Sequence, residues 1–163
     1  MKIKNLLLFL FCISTILPSF AQTSDAEAEA IVNLLGVQKK EAIAKLVAVT
    51  GKDSVAFWKL YDEYQQKNLA TAKSRIRLYE KTAQAYANMT PAIADSLAIK
   101  YFANREGQEK SLEEYYKKIK AATDAVIAFE FYQAEVYLLT QIRASIMQQI
   151  PTYGQVQAAS KKN

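Results

Sequence analysis

The side chains that most often perform acid–base or nucleophilic chemistry are scarce in this chain. Its 163 residues include no histidine, and the single cysteine, Cys12, lies in an apolar segment near the start. Histidine is the commonest general base and the commonest transition-metal ligand in proteins. Any catalysis would therefore depend on paired carboxylates, or on a serine with lysine as its base.

Neither arrangement is present in a convincing form. The adjacent acids Asp62-Glu63 and Glu113-Glu114 are one helix position apart, so each pair diverges by about 100° and does not share a target. Ser54 has lysines nearby, as do other serines, but no spacing pairs a nucleophile with a base, and no phosphate loop or zinc-protease motif occurs. We expect no catalytic residues, and an enzyme stays only a remote alternative.

A metal site or cofactor is not expected either. Once the N-terminal segment is removed, the ligands that remain are carboxylates, amides and the thioethers of Met89 and Met147, which suit hard cations at best. The sequence has no loop rich in Asp and Asn of the kind that binds calcium. The prediction is that the protein holds no metal and no cofactor.

An aromatic cluster is the most distinctive feature of residues 50–65, TGKDSVAFWKLYDEYQ. Its aromatic members lie at offsets 0, 1, 4 and 7 on one side of a helix: Phe57, Trp58, Tyr61 and Tyr64. We interpret the cluster as a structural anchor rather than a binding spot, with Phe57 and Trp58 packed on the first or the last helix. Asp62 and Glu63 are expected to face solvent or a lysine.

Two polar residues interrupt the most apolar helix. In the block EFYQAE (130–135), Phe131 is followed by Gln133 and Glu135, and a buried polar side chain needs a partner. One interpretation is a recognition spot. The interpretation we favour is that both reach a helix cap, a lysine or the solvent edge.

Tyrosines interleaved with basic residues are the candidates for partner binding. Ten tyrosines occur, and tyrosine combines apolar area with a polar tip that suits wet interfaces. The residues that we single out as partner contacts are Tyr61, Tyr64, Arg75, Arg77, Tyr115 and Tyr116. Tyrosines at this spacing also commonly lie at the edge of a core.

The elements that must position these residues are helices. Glycine and proline are few, and Ala, Leu, Lys, Glu and Gln are abundant between them. We predict an all-α fold, a small bundle or cradle of about four helices, two of them long, with short capped turns near 50, 90 and 123. The helices are expected at 25–49, 51–88, 91–122 and 124–150.

The turns carry recognisable start signals. Thr50 is predicted to cap the second helix with Asp53 in the acidic position of a capping box. Thr90 is predicted to cap the third, with Pro91 at the first helical position, where its missing N–H is harmless. In that helix residues 104–111 form a polar break, read as a kink, a bend or a solvent-exposed bridge. Along the second helix, residues 69–86 form an apolar seam for another helix, in this chain or in a second copy.

The first residues are typical of a Sec-type signal peptide. A basic start precedes an apolar run over residues 6–17, and Ser19 and Ala21 are small residues that predict cleavage before Gln22. The residues around Cys12 do not match a lipobox, which favours plain secretion over lipidation. We therefore expect residues 1–21 to be cleaved, residues 22–151 to form one helical domain and residues 152–163 to be a flexible tail.

The net charge of the chain after cleavage is too small to indicate nucleic-acid binding. Removing two of the 21 basic residues with the signal leaves 19 against 16 acidic residues, a net charge of +3. Nucleic-acid binding usually requires a denser basic patch. We expect no nucleic-acid partner, and no stable membrane insertion after cleavage.

Two short motifs, each opening a long helix, resemble the L-T-x-x-Q signature of the Spy/CpxP family of bacterial periplasmic proteins. They are VTGKD (49–53) and MTPAI (89–93), with Asp53 and Ile93 in the place of glutamine and Val49 and Met89 in the place of leucine. Further blocks are similar to exported helical proteins related to that family: FWKLYDEYQ (57–65), YYKKIK (115–120), FYQAEVYL (131–138) and QQIP (148–151), which ends at Pro151. Glu130 stands where many relatives have arginine.

This resemblance, over about residues 28–151, implies a periplasmic helical protein that is often cradle-like and dimeric. Members of the family bind unfolding proteins without ATP or restrain an envelope stress sensor. The resemblance implies a non-enzymatic protein-binding module of the envelope stress or chaperone type, whose partners are unfolded or partner proteins and which can form a homodimer. The alternative is an envelope regulatory or structural protein with one specific partner. The histidine ligands of distant metal-tolerance relatives are absent here.

Overall fold

The structure, a computed structural model, describes residues 25–150 and 152–161. Within them the chain is helical and has no strand, so the all-α prediction is confirmed. The helices are α1 (Asp25–Leu46), α2 (Lys52–Ala85) with a 3-10 turn (Tyr86–Asn88), α3 (Pro91–Ala122), α4 (Ala125–Gln149) and α5 (Tyr153–Ser160). The predicted signal peptide, residues 1–21, and Pro151 lie outside the described residues. No helix in the described part is long and apolar enough to cross a membrane.

Two of the three predicted caps are confirmed. The Thr90 hydroxyl accepts a hydrogen bond from the backbone N–H of Ile93 at 3.2 Å, and Pro91 opens α3. One Asp124 carboxylate oxygen accepts from two backbone N–H groups of the first turn of α4, at 2.7 and 2.9 Å. Each cap satisfies donors that a helix start would otherwise leave without partners.

The predicted cap at Thr50 is wrong by one residue. The N-cap of α2 is Gly51, with φ of 61°, and no side chain caps this end. Glycine adopts that left-handed backbone without a steric penalty, so the turn is set by backbone geometry rather than by a hydroxyl. Asp53 lies in the first turn, where its charge favours the positive end of the helix dipole, but it does not complete a capping box.

The C-terminal segment also differs from the expected loose tail. Residues 153–160 form α5, and a capping box that was not predicted from the sequence starts this helix. The Thr152 hydroxyl accepts from the Gln155 N–H at 3.3 Å, while the Gln155 side chain accepts from the Thr152 N–H at 2.7 Å. This reciprocal pair is the arrangement that the motif T-x-x-Q produces.

The core lies where α1, α2, α3 and α4 meet. The ring of Phe131 on α4 meets three rings of α2 edge-on, with centroids 6.4 Å from Phe57, 6.3 Å from Tyr61 and 5.4 Å from Tyr64. Edge-to-face contacts of this kind add to the free energy of burying the rings. Phe57 therefore packs on α4, as predicted, and the aromatic cluster is the structural anchor of the bundle.

Trp58 lies at the rim of that core rather than inside it. Its ring is half-buried, meets Phe57 edge-on at 5.0 Å and has the Lys40 ammonium of α1 at 5.6 Å. Lys40 also pairs with Asp62, so Asp62 faces a lysine as expected. Trp58 thus contacts α1, but unlike Phe57 it keeps part of its surface in solvent.

The polar break in α3 is a hydrogen-bonded layer between α2 and α3. The helix is continuous through residues 104–111, and Gln108 and Ser111 are buried. Asn68 of α2 donates to the Ser111 hydroxyl at 2.9 Å, and Asn104 donates to the Thr71 carbonyl at 3.0 Å. The polar residues therefore fix the register of two long helices instead of bending one of them.

Candidate functional site

A buried ionic centre joins three helices beside the aromatic core. Glu135 of α4 has no solvent exposure, and its carboxylate accepts three hydrogen bonds. The donors are the Lys39 ammonium at 3.0 Å, the Tyr64 hydroxyl at 2.9 Å and the Tyr61 hydroxyl at 3.1 Å. Since Lys39 belongs to α1 and both tyrosines to α2, this one carboxylate connects α1, α2 and α4.

The electrostatics of the centre make it structural rather than reactive. Burial first, and the Glu135 charge second, raise the pKa of the Tyr61 and Tyr64 hydroxyls far above the ordinary value of 10.0. Both hydroxyls stay protonated and act only as donors. The Lys39 ammonium also lies 5.1 Å from the Tyr64 ring centre, within cation–π range. The Glu135 carboxylate thus uses its three donors to hold the helices together.

These contacts decide between the two interpretations of the EFYQAE block. Glu135 reaches a lysine, which is the interpretation favoured from the sequence, whereas Gln133 is exposed on the outer side of α4. Sequence reasoning could not find the centre as a unit, because Glu135 lies 71 to 96 residues along the chain from its three donors. The signal available was an acid on the apolar side of a largely apolar helix.

The predicted partner contacts are corrected in part. Tyr61, Tyr64 and Tyr115 are buried, the first two without any exposure, so they do not form a surface for a partner. Tyrosine is placed inside here because the core supplies hydroxyl acceptors and aromatic neighbours. Among the other candidates, Arg75, Arg77 and Tyr116 are half-buried.

An open groove lies between α1, α2 and α4, next to the ionic centre. Its volume is about 560 Å³, within the range of ligand-binding clefts. Polar and apolar residues both line it, and we call it the aliphatic groove after its aliphatic members: Val32, Leu35, Leu69, Ile76, Leu139, Ile142 and Ile146. The N-terminal part of the predicted seam, Leu69 to Ile76, lines this groove. Further along α2, Tyr79 packs on Tyr101 of α3 with ring centres 5.8 Å apart. The seam is therefore covered by α3 at Tyr79 and faces the groove from Leu69 to Ile76.

Cations border the aliphatic groove. Lys39, Lys40 and Arg75 contribute to its lining, and Asp62 is the one acid among the lining residues, paired with Lys40. Arg75 donates to the side-chain oxygens of Asn104, at 2.9 Å, and Gln108, which hold its guanidinium against α3. The groove thus combines aliphatic side chains with one cation, Arg75, whose hydrogen bonds go to neutral amides, whereas Lys39 and Lys40 are paired with carboxylates.

The outer face of α4 is uncharged and partly aromatic. Val126, Phe129 and Tyr137 are exposed there by 66, 55 and 45 %, with Gln133 between Phe129 and Tyr137 and Thr140 one turn further on. Helix α4 is therefore apolar on both sides, as the sequence indicated, but only the inner side is covered in the single chain. A large exposed apolar stripe of this kind commonly marks an interaction surface.

The described residues offer no metal centre: within 25–150 and 152–161, no three His, Cys, Asp or Glu side chains are grouped to hold an ion. Comparisons of the chain with family models, with curated proteins and with solved structures find no match. The fold and the site define a small helical bundle with an aliphatic groove beside a buried ionic centre. The resemblance to the Spy/CpxP family rests on the sequence motifs alone and stays a prediction.

Proposed function

We propose that this chain is an exported, non-enzymatic protein-binding module of the Spy/CpxP type, which holds partly unfolded proteins without ATP. The observation that carries the proposal is the aliphatic groove. It is open to solvent, it is lined by side chains of α1, α2 and α4, and aliphatic residues make up a large part of that lining. Apolar segments are what an unfolding protein exposes and a native one covers.

The charge at the groove edge supports weak and fast binding. Lys39 and Lys40 are paired with Glu135 and Asp62, so the positive potential at the edge comes mainly from Arg75. It speeds the encounter with acidic segments more than it raises affinity. Aliphatic walls are non-directional, so they accept many sequences with little discrimination. Together these features favour a binder of broad specificity over a receptor for one ligand.

The ionic centre keeps the groove in shape. Lys39 lines the groove and is also the α1 partner of Glu135, so the wall that α1 supplies is attached to α2 and α4 at that point. Gln65 adds a second attachment by donating to the Gly36 carbonyl at 3.1 Å. A groove that is already formed avoids part of the entropic cost of binding.

The test is suppression of aggregation by the chain from residue 22 onward, with a matched pair of variants on α2. Ala72 lines the groove, whereas Ala70, two positions away, is exposed and lines none of the grooves described. Ala72→Trp fills the groove and is expected to abolish suppression for several denatured clients at near-stoichiometric ratios. Ala70→Trp is expected to retain it. Equal activity of the two variants, or no suppression by the wild type, contradicts the proposal.

A second candidate function is an envelope regulatory or structural protein with one specific partner, and the outer stripe of α4 favours it. A photo-crosslinking residue at Phe129, tested in the source cell, distinguishes the two. One discrete product that is lost in Tyr137→Lys supports a dedicated partner. A broad distribution of products supports client binding.

A further inference from the structure

A second groove lies at the other end of the bundle, between α2, α3 and α4. Its volume is about 380 Å³, and we call it the arginine groove. Three of the residues that line it are arginines, one from each helix: Arg75, Arg105 and Arg143. Among the described residues, its lining includes no aspartate and no glutamate, although the chain has 16 acidic residues beside its 21 basic ones.

The cations of this groove lack a counter-charge there. Arg75 is half-buried, and its hydrogen bonds go to the neutral amide oxygens of Asn104 and Gln108. Burial, and then the neighbouring Arg143 cation, lower the pKa of Arg75, but a guanidinium remains charged at neutral pH. Like charges therefore face one shared space, and an anion placed between them would remove their repulsion.

The walls of the groove are apolar and aromatic. The rings of Tyr79 and Tyr101 contact each other at a tilt of 52°, with centroids 5.8 Å apart, and the Tyr101 hydroxyl lies 2.8 Å from that of Thr82, which fixes the ring. Phe102 and Met147 are 72 and 55 % exposed at its mouth. An inorganic anion would use the arginines but leave these apolar surfaces in water.

We propose that the arginine groove binds an amphiphilic oxyanion, a carboxylate or phosphate headgroup carried on an apolar chain. The guanidinium groups of Arg105 and Arg143 bind the headgroup through charge-assisted, forked hydrogen bonds. The chain of the ligand covers the exposed side chains of Phe102 and Met147. The site is separate from the aliphatic groove, so the inference does not depend on client binding, although Arg75 borders both.

The test is calorimetric titration of the chain from residue 22 onward with four probes below their micellar concentrations. Dodecanoate and dodecyl phosphate carry the two headgroups, dodecyltrimethylammonium carries the same tail with a positive charge, and acetate carries a headgroup alone. One or both anionic amphiphiles are expected to bind with 1:1 stoichiometry, and the tighter one identifies the headgroup. Equal binding of the cationic amphiphile, or acetate binding as tightly as dodecanoate, overturns the proposal.

Matched arginine variants assign the binding to this groove. Arg143→Gln is expected to weaken the anionic amphiphile about tenfold or more, the usual effect of removing a hydrogen bond to a charged group. Arg143→Lys keeps the charge but not the forked hydrogen bonds, so its affinity is expected to lie between those of the wild type and Arg143→Gln. Arg77→Gln, on α2 but not in the groove, and Ala72→Trp, in the other groove, are expected to leave the affinity unchanged. An unchanged affinity in Arg143→Gln sinks the assignment.

Discussion

Removing the charge of Glu135 is the change that the structure expects to be most damaging to the bundle. Glu135→Gln keeps the shape of the side chain, but it leaves the Lys39 ammonium, 11 % exposed, without its counter-charge. Breaking a buried pair from one side typically destabilises a protein by about 3–5 kcal/mol. Because Lys39 retains some access to water, we expect the lower end, about 3 kcal/mol.

The measurement is urea denaturation followed by circular dichroism, on single and double variants. Lys39→Met alone leaves Glu135 buried with only its two tyrosine donors, and the double variant Lys39→Met/Glu135→Gln removes both charges. We expect the double variant to be more stable than the sum of the single losses predicts, by about 1 kcal/mol or more. This positive coupling is the sign of a direct interaction.

An exposed ion pair supplies the control. Glu113 and Lys117 are 65 and 68 % exposed and pair across one turn of α3, so Glu113→Gln is the same chemical change at the surface. It is expected to have no measurable effect on unfolding, since exposed pairs contribute little. If Glu135→Gln were as stable as Glu113→Gln, the buried centre could not be what attaches α1 to the bundle.

Three further predictions concern stability. The pKa values of the Tyr61 and Tyr64 hydroxyls are raised in the folded state, so the stability that they contribute is fully present below pH 10. Above pH 10 the free energy of unfolding is expected to fall by about 1.4 kcal/mol per pH unit for each tyrosine. Tyr61→Phe should remove one tyrosine's share of this slope, and an unchanged slope would contradict the burial. Asp124→Ala is expected to lose about 1 kcal/mol on urea denaturation, and Thr50→Ala, with no cap bond, almost none; equal losses would restore the Thr50 cap. Phe57→Ala is expected to lose about 3–5 kcal/mol and the half-buried Trp58→Ala less, about 2 kcal/mol, and the reverse order of melting temperatures would refute the packing described.

Helices and their starts were the most predictable part of the structure from sequence. Thr90-Pro91 and Asp124 act through backbone groups within three residues, and local sequence determines such contacts completely. The error at Thr50 arose because a glycine with φ of 61° produces the same break without a side-chain cap. The T-x-x-Q box at Thr152 is equally local and could have been found.

The candidate site was less predictable, because its parts come from distant segments. Tyr61 and Tyr64 were assigned both to the structural anchor, which was favoured, and to the candidate partner contacts. Their hydrogen bonds to Glu135 of α4 place them in the core. The amides of residues 104–111 gave no indication of the α2 partners that they face. Grooves arise from how helices diverge, and the spacing of apolar residues alone does not specify that divergence.

The central claim, that the aliphatic groove is where clients bind, is tested most directly by NMR of isoleucine methyl groups. The protein, labelled at these methyls, is titrated with a permanently unfolded client such as a reduced and carboxymethylated protein. We predict that the resonances of Ile76, Ile142 and Ile146, which line the groove, shift or broaden together, while that of Ile99, 58 % exposed on α3, does not. Changes at Ile99 with none at the three groove residues would contradict the account.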